Sequence, residues 1–262
     1  MQKTLSNLGV AITRPMGQAK KLQRLIHANG GEPISFPLIK IVALQDYSLF
    51  DKTIERLESY DWAIFISSNA VQMGMPKVLA RFTELPLQLK LAAIGPVTAS
   101  ELVQMCELKN LVRSVLMPEN KFDSESLLSL PEMQFVQGKK IMIFRGIGGR
   151  DVLADILQAR GAQVTFAECY QRINPQQNCL VLQQLWEHKK CQAIVVTSSE
   201  AMRSLIQMTN NGGDDWIRNI LICVNHARVA EEAVALGLHV AIAAAPGDEA
   251  MLACLEQNNK GM

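Results

Sequence analysis

Six short stretches of this chain carry residues of the kinds that hold small anions. They are Thr13-Arg14-Pro15, Ser67-Ser68-Asn69, Gly95-Pro96-Val97-Thr98, Arg145-Gly146-Ile147-Gly148-Gly149-Arg150, Thr197-Ser198-Ser199 and Asn225-His226-Ala227-Arg228. Each follows a short apolar run and opens an amphipathic stretch. Helix-opening positions offer backbone N–H groups, the favourable end of a dipole and capping hydroxyls. Arginine adds a planar fork that pairs with a carboxylate through two parallel hydrogen bonds. The chemistry indicated is recognition of carboxylates or another small anion. Ser, Thr and Asn at helix starts also serve simply as caps, and for any one stretch that plainer role suffices. It is the recurrence at every such position that makes the set informative.

The glycine-rich loop 145–150 invites a nucleotide reading. A G-x-G-x-x-G fingerprint begun at Gly146 needs a glycine at position 151, where Asp151 stands. Two arginines flanking three glycines suit carboxylates as well. His27, His188, His226 and His239 show no metal-ligand spacing, so no metal site is expected. Only His226 falls at a strand end. Tyr170, within Glu168-Cys169-Tyr170-Gln171-Arg172, stands out as a proton or hydrogen-bond donor whose ring can pack. A tyrosine that merely packs is the alternative.

These residues need elements to position them. Apolar runs predict strands at Gly9–Thr13, Pro33–Ile39, Trp62–Ser67, Lys90–Gly95 and Leu111–Met117. A second set follows at Ile141–Arg145, Gln163–Tyr170, Ala193–Ser198, Ile220–Asn225 and His239–Ala245. Between the first two strands, Ala19, Leu22, Leu25 and Ile26 share a helical face, and Gly30 stands where a helix-ending glycine belongs. The strands are apolar on both faces, the pattern of a parallel sheet covered by helices on both sides. Ligands in such sheets bind beyond the carboxyl ends of the strands, where the six stretches lie.

The chain also repeats itself. Val10-Ala-Ile-Thr-Arg14 corresponds to Ile141-Met-Ile-Phe-Arg145, and Gly30 to Gly161, at the same displacement. Ile64–Ala70 corresponds to Ile194–Ala201, and Ala92–Ala99 to Ile222–Ala230, in the same order. A duplicated five-stranded unit is expected. The runs Glu32–Ala43 and Gln163–Ile173 are long for ordinary strands, and each could leave one lobe and enter the other. Spacing alone leaves that open.

Composition sets outer limits. Over 262 residues, 26 Lys and Arg balance 25 Asp and Glu to a net charge of +1, which excludes a global footprint for nucleic acid. At 48% hydrophobic the chain is expected to fold around a proper core. Cys106, Cys169, Cys179, Cys191, Cys223 and Cys254 are scattered, with no C-x-x-C pair, as in a reduced cytoplasmic compartment. Residues 1–15 lack a signal peptide's apolar run, and no stretch is long enough to span a bilayer.

Taken in order, the motifs resemble the uroporphyrinogen-III synthase family. The resemblance rests on Thr13-Arg14-Pro15 before a helix closed by Gly30, Phe65-Ile66-Ser67-Ser68-Asn69-Ala70-Val71, and Ile94-Gly95-Pro96-Val97-Thr98-Ala99. It is strongest over 138–172, in Phe144–Arg150, Gly161-Ala162-Gln163-Val164 and Glu168–Arg172. It implies an α/β fold of two similar lobes, each a five-stranded, flavodoxin-like parallel sheet flanked by helices. Residues 1–38 with 173–262 would form one lobe and 39–172 the other, with linker strands near 33–43 and 163–173. The activity implied is cyclisation of the linear tetrapyrrole hydroxymethylbilane to uroporphyrinogen III, with ring D inverted, water lost and no cofactor. Tyr170 matches the family's linker tyrosine, the favoured proton donor, while Ser67 and Thr98 match its serine and threonine. Two places depart from the pattern. Asn69 stands where many members carry arginine, and Asn225-His226-Ala227-Arg228 where many carry Gly-Pro-Thr-Thr, so that Arg228 or His226 would have to replace a hydroxyl. The partners implied are a polycarboxylate tetrapyrrole and a transient hand-over from hydroxymethylbilane synthase, with no nucleic acid, no membrane and a monomeric state. The alternative from the residues alone is a non-catalytic bilobal binding protein for a small anion.

Overall fold

The computed structural model describes residues 4–107 and 114–259. The chain divides into two compact units, Met1–Lys40 with Ile173–Met262, and Ile41–Arg172. In the first, the strands are β1 (Gly9–Ile12), β2 (Glu32–Ser35), β9 (Ala193–Val196), β10 (Leu221–Val224) and β11 (Val240–Ile242). The second is built on β3 (Lys40–Ala43), β4 (Trp62–Phe65), β5 (Lys90–Ala93), β6 (Val115–Leu116), β7 (Lys140–Gly146) and β8 (Gln163–Ile173). The strand expected at 111–117 is seen as β6; residues 111–113 lie outside the described residues.

The first sheet runs β2-β1-β9-β10-β11, with every neighbouring pair parallel. Its central strands are buried on both faces, which is why their sequences do not alternate. Ile194, Val196, Ile222 and Val224 face one core layer with Trp216. Val10, Ile12, Val195 and Cys223 face the other, against Met251 and Leu255 of the helix Asp248–Asn259.

The second sheet runs β3-β8-β7-β4-β5-β6, and its β8-β7-β4-β5-β6 portion is parallel throughout. Counted along each half-chain, both sheets therefore show the flavodoxin-like order 2-1-3-4-5. The halves exchange their leading strands. β1, carrying β2 at its outer edge, pairs with β9 of the second half, while β7 pairs with β4 and β8 with β3 of the first.

Two expectations need correcting. The second sheet has six strands rather than five, because β3 adds an edge beside β8. The run 32–43 is not one strand either. Phe36 and Leu38, both buried in the first unit, separate β2 from β3 and anchor the chain before it enters the other sheet. By contrast, Gln163–Ile173 is a single strand. No helix of the described residues is long and apolar enough to cross a membrane.

Candidate functional site

In the second unit the carboxyl ends of β7, β8 and β4 bring together Tyr170, Arg172 and Ser67. Register slips between Arg145 and Gly146, so that Arg145 faces Glu168 and Gly146 faces Tyr170. Such a bulge lets consecutive residues of β8 share a surface. Cys169 and Tyr170 are both fully buried in the same core cluster. The Tyr170 hydroxyl lies 3.2 Å from Ser67 Oγ and accepts from Arg172 Nη2 at 3.2 Å. Ser67 caps the helix Ser68–Arg81, its Oγ accepting the Ala70 N–H at 3.1 Å. Ser68 and Asn69 occupy that helix's first turn, half-buried. Burial pushes the Cys169 thiol up to about 12, so it is no nucleophile at neutral pH.

Arg145 does something other than what its exposed neighbours suggest. It is 3% exposed, pairs with Asp151 Oδ1 at 2.6 Å and donates to the carbonyls of Gly146 and Gly148. Its guanidinium also lies 4.4 Å from the centre of the Phe166 ring. These bonds clamp a loop whose Gly148 and Gly149 have φ of 69° and 109°, a region that favours glycine. Arg145 thus holds its own loop, while Arg150 is exposed on that loop. The Gly148 N–H already faces Glu168 Oε1 at 3.4 Å. At the end of β5, Gly95 lies under Phe122, Pro96 is exposed, and Thr98 is buried in the first turn of the helix Pro96–Glu107.

The first unit has its own strand ends. Thr13 is buried and donates its hydroxyl to Val195 O at 2.9 Å, which ties β1 to β9. Arg14 donates from Nε to Thr197 Oγ1 at 3.1 Å and pairs with Asp248. Ser198 caps the helix Ser199–Met208, accepting from Ala201 N–H at 3.1 Å. His226 caps the helix Ala227–Ala235 through Nδ1, which accepts the Arg228 N–H at 3.2 Å, and Arg228 is exposed. Asn225 Oδ1 is buried without a hydrogen-bond partner. Orphaned buried acceptors are uncommon and costly, so this one is notable beside a ligand-side loop. Among the described residues no cluster of His, Cys, Asp and Glu could hold a metal ion.

The arrangement is thus a set of helix-opening N–H groups, hydroxyls and arginines at the strand ends of each sheet, plus one buried phenol in contact with a cation. A family model described as uroporphyrinogen-III synthase HemD matches residues 20–253. The chain belongs to the uroporphyrinogen-III synthase family. It is 30% identical over 251 residues to the uroporphyrinogen-III synthase of Salmonella typhimurium, covering 95% of this chain and all of that one. The corresponding Escherichia coli protein is 29% identical over the same span. Among solved structures, a mutant uroporphyrinogen III synthase from Thermus thermophilus aligns with a TM-score of 0.64 at 15% identity, over 97% of this chain and 98% of that one. One from Helicobacter pylori aligns with a TM-score of 0.58 at 14% identity, over 97% and 99%. At those identities the structures speak for the fold. Uroporphyrinogen-III synthases are lyases, and membership sets aside the reading as a non-catalytic binding protein.

Sequence reasoning missed several residues of this family member's strand ends. Arg172 stood inside the quoted motif, and its signal was available: two residues beyond Tyr170 on a strand, it shares a face with it. Asp151 and Asp248, the carboxylates that occupy Arg145 and Arg14, gave no such signal.

Proposed function

We propose that this chain cyclises hydroxymethylbilane to uroporphyrinogen III, inverting ring D and releasing water, in the biosynthesis of haem and sirohaem. The observation that carries the proposal is family membership across residues 20–253. The reaction suits a site of this kind. Departure of the hydroxyl is driven by an electron-rich pyrrole, so no strong nucleophile is needed. What the protein must supply is orientation, so that the inverting ring carbon is attacked rather than the free end. A general acid near the departing hydroxyl adds to the rate.

In this proposal the strand-end N–H groups, hydroxyls and arginines hold the substrate's carboxylates, and Tyr170 belongs to the catalytic machinery. Arg228, exposed beside the His226 cap, takes the place of the hydroxyl that many members carry there. Arg14 and Arg145 contribute by shaping their loops, since carboxylates and carbonyls of the chain already engage them. No cofactor enters. The lobes change over near residues 38 and 172. The enzyme works in the cytoplasm as a monomer and takes its substrate in a transient encounter with hydroxymethylbilane synthase.

The test is to incubate the protein with freshly made hydroxymethylbilane, oxidise the product and separate the porphyrin isomers. Predominant type III isomer is expected. Only type I, the uncatalysed product, would overturn the proposal.

A further inference from the structure

Building on that function, we propose that Ser67 is the group that hands a proton to the departing hydroxyl, with Tyr170 supplying it from behind and Arg172 as the positioning residue. Tyr170 is 0% exposed, so its phenol reaches nothing outside the protein in this conformation. Its oxygen meets two side-chain partners, Ser67 Oγ and Arg172 Nη2, each at 3.2 Å. A guanidinium can only donate. It therefore occupies a lone pair of the phenol oxygen. Of the two directions open to the Ser67–Tyr170 bond, the one in which Tyr170 donates gives the buried phenolic proton an acceptor, so the proton is assigned to point at Ser67. Ser67 Oγ then accepts twice, from the phenol and from the Ala70 N–H at 3.1 Å. A hydroxyl has two lone pairs and one proton, so Ser67 must direct its proton away from both partners. Half-buried at the carboxyl end of β4, it is where the chain of bonds opens outward.

The other tyrosines lack this wiring. Tyr60 donates to Thr165 Oγ1 and Tyr47 to the Cys169 carbonyl, both at 3.0 Å. Only at Tyr170 does a cation donate to the phenol oxygen, and among the described residues no carboxylate pairs with Arg172. The proton balance closes. The C–O bond of the hydroxymethyl group breaks, and its oxygen leaves as water with the Ser67 proton. Ser67 is replenished by Tyr170, and the resulting phenolate rests beside the Arg172 guanidinium. Ring closure expels a proton as the pyrrole regains aromaticity, and that proton returns to the phenolate through Ser67.

The experiment compares kcat and product affinity for Ser67→Ala, Ser67→Gly, Tyr170→Phe, the double variant Ser67→Ala/Tyr170→Phe, Arg172→Lys and Arg172→Met. Glycine is itself an acceptable helix cap, so Ser67→Gly separates loss of the proton from loss of the cap. Each Ser67 variant and Tyr170→Phe should lower kcat about 100-fold. Product affinity should change by less than about threefold. The double variant should be no slower than either single one, because both interrupt one relay. Arg172→Lys should keep part of the rate that Arg172→Met loses. Multiplicative losses in the double variant, or a Ser67→Gly enzyme with normal kcat, would overturn the relay. Wild-type protein that forms only type I isomer would instead overturn the function on which it rests.

Discussion

Gly146 lies against the ring of Tyr170: a Cβ at position 146 would fall 2.5 Å from Cε2 and 2.7 Å from Cζ. No real Cβ tolerates such contacts, and the ring is itself buried and walled in. The Gly146→Ala variant should lose about 1–3 kcal/mol through overpacking. It should also lose activity, because the phenol must move away from Ser67 and Arg172. Gly17→Ala is the control, since nothing lies within 4 Å of a Cβ there. Thermal melts and turnover read both effects. A Gly146→Ala protein that melts and turns over like wild type would show that the ring is not held where it is described.

The Arg145 clamp predicts an ordering of costs. Arg145 is buried, whereas the Asp151 side chain is 57% exposed. Arg145→Met strips bonds from Asp151 and two carbonyls and removes the cation over Phe166. It should cost about 1–3 kcal/mol. Asp151→Asn keeps an acceptor at an exposed position and should cost no more than about 1 kcal/mol. Denaturant unfolding of the two variants measures the ordering. Equal costs would mean that the loop is held by its glycines and not by Arg145.

These cases show why some of the site was legible in the sequence and some was not. The duplication could be read because Arg14 and Arg145, and Gly30 and Gly161, recur at one displacement. Which sheet each strand joins could not, because pairing of β1 with β9 is a long-range choice that no local pattern records. Tyr170 and Arg172 could be read as neighbours from strand periodicity. The inward turn of Arg145 could not, since it depends on a register slip at Arg145/Gly146 that leaves no mark in composition. Arg14 and Arg145 looked alike as carboxylate ligands, and in the fold each is met by a carboxylate of the chain itself.

All six cysteines are buried. Burial raises Cys169 and Cys179 to about 12 and Cys191 to about 11. At about pH 8 these groups are neutral thiols, and the thiolate is the reactive species. These three cysteines should therefore react slowly with iodoacetamide in the native protein, and denaturant should release them. Rapid alkylation of Cys169, Cys179 or Cys191 in the native protein, mapped by peptide mass, would contradict the packing around that residue.

Asp61 links three strand starts in the second unit. Its N–H donates to the Lys140 carbonyl, and its own carbonyl accepts from Lys90 N–H, both at 2.9 Å. Its carboxylate accepts from Lys139 Nζ and from Lys140 N–H, also at 2.9 Å. Burial works to raise its pKa, but the hydrogen bonds from Lys139 and Lys140 and the charges of Lys139 and Lys90 together outweigh it. The result lies below the ordinary carboxylate value. A folded pKa below the unfolded one means that the ionised group stabilises the fold above the unfolded pKa of about 4. That contribution fades as pH falls through the lower folded value. The side chain is 35% exposed, so solvent screening limits its worth to about 0.2–1 kcal/mol. Asp61→Asn should therefore be slightly less stable than wild type near about pH 7, with the gap closing as the pH falls below the unfolded pKa of about 4 and through the lower folded value. Denaturant midpoints measured across that range would show it. A gap that stayed constant down to the lowest pH would mean that the side-chain hydrogen bonds, and not the charge, hold these strands in register.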